Sequence, residues 1–261
     1  MLPTEETACD LALARAALYR LACLAFRHPD RDWEREWRSL AAGAREAARL
    51  CEGERSSAGG LQALVERACA ASRSLGETVA EHARVFGHIP RAAATPYETE
   101  WTGAAGDLLQ YHQISDIAAF YNAFGLQLGR SCDERPDHVG LELEFLHFLC
   151  VKEAFGLAEG LDDLAALCRE TEGRFLAEHL ARWAGGLCAR MQAASGGGFY
   201  GAVADLLSAW IEDELRRLRV EPGEPILEPP PTAFRPEDAC VGCGQASACL
   251  GELERHGDRR R

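Results

Sequence analysis

Lysine is almost absent from this chain. Of its 28 basic residues only Lys152 is a lysine, so nearly every cation is an arginine. A phosphate-binding loop needs a lysine directly after its glycines, and Lys152 has no such context. No apolar run reaches the ~18 residues that a membrane span requires. The opening residues MLPTEETACD lack the charged-then-apolar pattern of a secretory signal, and the expectation is a cytoplasmic protein with no membrane insertion. Sustained alternation of apolar and polar residues is missing, which argues against sheet architectures. HExxH is absent, as is the Gly-x-Ser-x-Gly elbow of a nucleophilic hydrolase. These gaps leave no enzyme class with support, and the chain is read as a non-enzyme.

What is present describes an ordinary globular protein. The 261 residues are 47% hydrophobic and 26% charged, enough for one large domain or two small ones. Net charge is −13, with a pI near 5.1. An acidic surface disfavours nucleic acid and anionic lipid and favours basic or arginine-bearing partners. Eleven cysteines are present. Cys23, Cys69, Cys150, Cys168 and Cys188 are scattered singly through helical patterns, as small buried hydrophobes are in a reducing compartment.

The hydrophobic spacing predicts helices over 5–27 (closed by His28-Pro29), 33–50, 61–86 with an interruption near Gly76, and 107–124 ending at Gly125. Further helices are expected over 136–153, over 161–192 with a weak point at Gly185-Gly186, and over 199–220. The fold class is therefore all-α, a single bundle-like domain of about seven to nine helices spanning 1–220. Six of the eleven prolines fall within 221–239, which reads as an extended linker, and 240–261 forms a cysteine-containing tail.

The stretch Glu134 to Glu153 organises the rest. Pro136 suits a first helical turn and Asp137 the positive end of the dipole. Leu141, Phe145, Phe148 and Leu149 form one apolar arc, and Val139, Leu143, Leu146 and Cys150 a second. A helix that is apolar on two sides is packed by neighbours on both. His138 and Glu142, spaced i,i+4, lie in the polar strip between the arcs. They read either as a structural polar pair or as acid–base or metal-binding groups. Only Glu144–His147 has the Glu-x-x-His spacing of a di-iron bundle, and no second copy faces it.

Two other stretches carry candidate chemistry. The segment 88–101 contains two prolines yet holds Tyr97 and Trp101, so it is either a strap packed on the core or the lining of a groove. As an extended groove it would alternate Glu98 and Glu100 with those aromatics, which suits arginines next to apolar residues. Cys240-x2-Cys243-x5-Cys249 has metal-like spacing, for Zn²⁺ or an Fe–S cluster. A fourth ligand would have to come from His256 or another chain, and the other reading is a redox-labile tail.

These residues also carry a resemblance. Glu134-x-Pro136-Asp137-His138-x-x-x-Glu142-Leu143-x-Phe145-Leu146 resembles the signature of the TorD/DmsD/NarJ-type chaperones that mature molybdenum enzymes. Leu18-Tyr19-Arg20-Leu21 to Pro29, Phe86 to Pro96-Tyr97-Glu98-x-Glu100-Trp101, and Asp116-Ile117-x-x-Phe120-Tyr121-x-x-Phe124-Gly125-Leu126 agree with it in order. Glu178-His179-Leu180-x-x-Trp183 and Phe199-Tyr200 fit as well. The likeness covers roughly 10–219 and leaves out the tail. It implies a cytoplasmic chaperone, monomer or homodimer, that binds the apo catalytic subunit of a molybdopterin enzyme at its twin-arginine leader and delays export until the cofactor is inserted. No cofactor of its own is required. Carried over by motif, the leader site comprises Tyr97, Glu98, Glu100, Trp101, Asp116, Tyr121, Glu134, Pro136, Asp137, His138 and Glu142. The alternative is a metal or Fe–S carrier working through Cys240, Cys243 and Cys249.

Overall fold

The computed structural model describes residues 5–52, 60–72, 74–87, 93–102, 107–129 and 134–229. Among these the chain is all-α, as expected. Nine helices of eleven residues or more are joined by one single-turn helix and one π turn. They are α1 (Glu5–Ala25), α2 (Arg31–Glu52), α3 (Leu61–Ala71), α4 (Leu75–Phe86), the short α5 (Glu98–Trp101), α6 (Asp107–Ala123), α7 (Val139–Ala158), α8 (Asp162–Phe175), α9 (Ala181–Ser195) and α10 (Phe199–Leu218). The π turn Leu176–Leu180 joins α8 to α9. Cys240, Cys243 and Cys249 lie outside the described residues.

Helix α7 is the central element. It packs most extensively on α1 and, on its other side, on α8. Val139, Leu143, Leu146 and Cys150 are fully buried, and so are Phe145 and Leu149 of the other arc, while Leu141 and Phe148 are half-buried. Its start differs from the expectation. Pro136 and Asp137 precede the helix, and His138 is the N-cap, its Nδ1 accepting from Gly140 N–H at 3.1 Å. Burial, opposed by Glu134 and Asp137, lowers the His138 pKa, which keeps the cap acceptor unprotonated. The carboxylate of Asp137 is thereby freed for another task, described below.

Two other predicted boundaries move. The interruption expected near Gly76 falls just before it: α3 ends at Ala71, Ser74 caps α4 by accepting from Glu77 N–H, and Gly76 lies inside the second helix. Gly185-Gly186 does not interrupt the 161–192 segment; the irregularity is the π turn that ends at Leu180, before the two glycines. The triple glycine does break the chain, since Gly196 and Gly197 take left-handed φ of 64° and 84°. Glu81 of α4 closes this corner. Its carboxylate accepts from the N–H groups of Phe199 and Tyr200, each at 2.9 Å, and from Ser195 Oγ at 2.7 Å. A carboxylate at a helix N-terminus satisfies orphan donors and suits the dipole.

The core also holds a group that the hydrophobic pattern does not reveal. Arg15 of α1, 3% exposed, is enclosed by three buried carboxylates from three helices. Its Nη1 meets Glu153 at 2.7 Å, its Nε donates to both Glu214 oxygens at 3.0 Å, and its Nη2 pairs with Glu172. Arg169 and Arg217 reach in from the rim to Glu153 and Glu214. Three acids around one deeply buried cation crowd like charges, and burial pushes Glu172 up to about 7 against the pull of Arg15. The single cysteines behave as small hydrophobes. Burial pushes the Cys23 and Cys188 thiols up to about 12, which leaves them protonated.

Candidate functional site

The loop before α5 is fastened to the start of α7. Tyr97 and His138 form an isolated antiparallel bridge, with Val139 N–H donating to Pro96 O at 2.8 Å and Glu98 N–H to Asp137 O at 2.9 Å. Asp137, fully buried, then caps the α5 turn from outside. Its Oδ2 accepts from Thr99 N–H (3.2 Å) and the Thr99 hydroxyl (2.7 Å), and Arg135 Nε donates to its Oδ1 at 3.0 Å. Arg135 lies over the Tyr97 ring at 4.3 Å, and the Tyr97 hydroxyl donates to Glu134 at 2.6 Å. Tyr121 donates to Pro136 O at 2.9 Å. The motif from Glu134 to His138 is thus a clasp that holds α5 against α7.

The clasp orients Glu98. In the expected extended groove Glu98 and Glu100 shared one edge, but residues 98–101 form a helical turn, so the two acids diverge. Glu98 is fully buried and Glu100 is exposed, tied to Thr95 at 2.6 Å and facing Arg135 at 3.8 Å. Trp101 is 1% exposed against Trp183, so at this residue the strap reading holds. The carboxylate of Glu98 accepts from Gln113 of α6 at 2.7 Å and meets His179 Nδ1 at 3.2 Å. His179 belongs to the π turn. A π turn shifts helical register by one residue and is common at functional sites. Here it presents His179 inward, against Phe120 and Phe175. The other ring nitrogen, Nε2, has no hydrogen-bond partner among the described residues and faces Asp116 at 3.6 Å.

Beneath this group lies Glu142 of α7, fully buried, with neither carboxyl oxygen hydrogen-bonded among the described residues. Burial first, then the charges of Glu98 and Asp137, push its pKa well above the usual carboxylate range, so it is held as the neutral acid. The expected pairing of His138 with Glu142 does not form, because His138 turns to cap its own helix.

Glu98, Asp116 and His179 open onto a cleft of about 1040 Å³. Its floor is the π turn with Arg182, one side is α5 and α6, and the other is the segment that follows α10, through Glu221 and Glu224. With Glu178, five acidic residues line this space. Asp116, Glu178, Glu221 and Glu224 are exposed, whereas Glu98 is buried behind them and engaged by Gln113 and His179. Arg182 is the single arginine among the lining residues. Leu109 of α6 lines the cleft and is 67% exposed, and its neighbours Leu108 and Tyr111 on the same helix are exposed at 76 and 68%. A smaller groove of about 420 Å³ lies between α6 and α7, lined largely by apolar side chains such as Leu126, Leu128 and Phe148, with Tyr121 at its base.

Of the eleven residues expected to form the site, Glu98 and Asp116 line the cleft. Glu142 and Trp101 lie inside the body. Tyr97, Tyr121, Glu134, Pro136, Asp137 and His138 build or brace the clasp, and Glu100 points outward. Sequence reasoning left out His179, Glu178 and Gln113, although Glu178-His179 stood in the matching motifs, and it assigned Glu221 and Glu224 to a linker.

An all-helical body with an acidic cleft of this size offers a binding surface for a basic partner. The chain is a member of the nitrate reductase delta subunit family, whose sequence pattern matches residues 47–189, more than half of its length. It is similar to the selenate reductase assembly chaperone of Thauera selenatis, 39% identical over 70 residues, 27% of this chain and 35% of that protein. It is 31% identical over 108 residues to the perchlorate reductase assembly chaperone of Dechloromonas aromatica, 41% of this chain and 47% of that one. Similarity to the TorD chaperone of Vibrio cholerae is 24% over 140 residues, 53% and 60% of the two chains. The matched region therefore spans between about a third and three-fifths of these relatives. They are assembly chaperones, not catalysts, in agreement with the non-enzyme reading.

Proposed function

We propose that this chain is a cytoplasmic maturation chaperone for a molybdopterin-dependent oxidoreductase. It holds the apo catalytic subunit by an arginine-bearing leader while the cofactor is inserted. The observation that carries this reading is the acidic cleft of about 1040 Å³, with four exposed carboxylates and the exposed apolar Leu109 of α6 in its lining. Guanidinium groups bind carboxylates bidentately, and the apolar stretch that follows them in a leader would cover Leu109 and the exposed apolar side chains next to it on α6. Burying roughly 400 Å² of apolar surface at ~25 cal/mol/Å² would contribute about 10 kcal/mol before ordering costs, which leaves micromolar or tighter binding. The relatives' function as reductase assembly chaperones supports the same class of client.

Calorimetric titration with a synthetic peptide carrying an Arg-Arg pair before an apolar segment tests the reading. Binding should weaken as salt is raised, since the cleft is open to solvent. Asp116→Asn should weaken it by about three- to tenfold. Absence of any heat of binding, for the peptide and for the purified apo subunit alike, would falsify this function.

A further inference from the structure

The segment after α10 has the composition of a linker but not the behaviour of one. Pro222 and Pro225 fix φ at two positions and offer no N–H, and the N–H that follows each of them turns to the body. Gly223 N–H donates to Ala177 O at 3.1 Å and Ile226 N–H to Arg182 O at 2.6 Å, and Glu228 pairs with Arg190 at 2.6 Å. The seat is cut to fit. A Cβ on Gly186 would stand 2.8 Å from both the Ile226 and Leu227 carbonyl oxygens and 2.6 Å from Trp101 Cζ3. This strap, residues 221–228, lies along the π turn and α9. Its Glu221 and Glu224 are exposed, face the cleft and have no ion-pair partner among the described residues.

We propose that the strap is the second acidic wall of the cleft and reads the second of two neighbouring guanidiniums. The inference rests on the function proposed above and adds how the cleft recognises a pair. Successive side chains of an extended peptide point to opposite faces. One acidic wall can therefore engage only one arginine of an adjacent pair. Asp116, with the buried Glu98 behind it, stands on the α5–α6 side, and Glu221 and Glu224 stand on the strap, with the π turn in contact with both through His179 and Ala177. The floor carries an unfilled polar group of its own. His179 is 3% exposed, and its Nε2, which faces Asp116, has no hydrogen-bond partner among the described residues. An arriving polar group could engage both Nε2 and Asp116. Glu178 is held by Arg174 at 3.0 Å and is less available.

Titration of the full chain with an Arg-Arg leader-like peptide, and with its two single Arg→Gln forms, tests this assignment. The Glu221→Gln, Glu224→Gln chain should lose about five- to tenfold affinity for the Arg-Arg peptide. It should lose as much for one single-arginine peptide and stay within about twofold for the other, with Asp116→Asn showing the converse. Gly186→Ala, which unseats the strap but keeps both glutamates, should reproduce the strap pattern. An equal loss for both single-arginine peptides would mean only a change in net charge and would overturn the assignment. So would no loss at all, while the function proposed above would stand in either case. Failure of the unmodified chain to bind the Arg-Arg peptide would remove that function and the strap assignment together.

Discussion

Glu142 shows how a single residue is read differently in one dimension and in three. As an acid four residues from a histidine it looks like half of a catalytic or metal-binding pair. In the fold it has no contact of that kind, and two neighbouring acids and full burial keep it protonated. A neutral acid and a carboxamide are close to isosteric, so Glu142→Gln should leave thermal stability within about 1 kcal/mol of the parent. Glu142→Ala should cost about 2 kcal/mol or more, through the cavity left behind. Denaturant melts of the two variants decide. If Glu142→Gln proves as damaging as the alanine change, the group is ionised and the assignment is wrong. Asp137 and His138 change meaning in the same way, from client contacts to the clasp and cap that aim Glu98. Their motif was legible, but the direction of each side chain was not.

At the level of elements, periodicity located the long helices to within a few residues because burial of one face determines both the spacing and the fold. It misplaced the joints. Ser74 and His138 cap their own helices through their side chains, and the π turn at Leu176–Leu180 slips the register within one continuous helical run, none of which a hydrophobic period registers. Only contact between helices reveals the buried ion cluster. Arg15 reads as one polar residue on an alanine-rich helix, yet it ties α1 to α7, α8 and α10 through Glu153, Glu172 and Glu214. This cluster has a pH signature. Glu172 titrates near 7 in the fold against an ordinary 4.5, so the folded chain holds this proton more tightly than the unfolded one. Its contribution to stability is full below the lower value and is lost as pH rises through the higher one. Glu172→Gln should flatten that part of the stability curve, followed by urea denaturation from pH 4.5 to 7.5. An unchanged slope would assign the titration to another group.

The whole molecule combines an acidic helical body with a strap whose composition disguised it. Residues 221–229 were read as the start of a linker, and they are instead part of the compact unit that ends at Pro229. The competing reading rests on the cysteines beyond it in sequence. If Cys240, Cys243 and Cys249 hold a metal, elemental analysis of anaerobically purified protein should find zinc or iron in fixed ratio, lost in Cys243→Ser. If instead no metal is found and the leader peptide binds, the carrier reading fails and the chaperone reading remains.

The sequence by itself determined the all-helical class and the central helix, because these follow from local periodicity. The matching motifs determined the family. Only the tertiary structure decided where the acids converge. Glu98, Asp116, Glu178, Glu221 and Glu224 come from four segments up to 126 positions apart (224 − 98), and no spacing rule links them. A clasp, a π turn and a strap seated over a glycine bring them to one cleft, and each is a relation between elements rather than a property of any one of them.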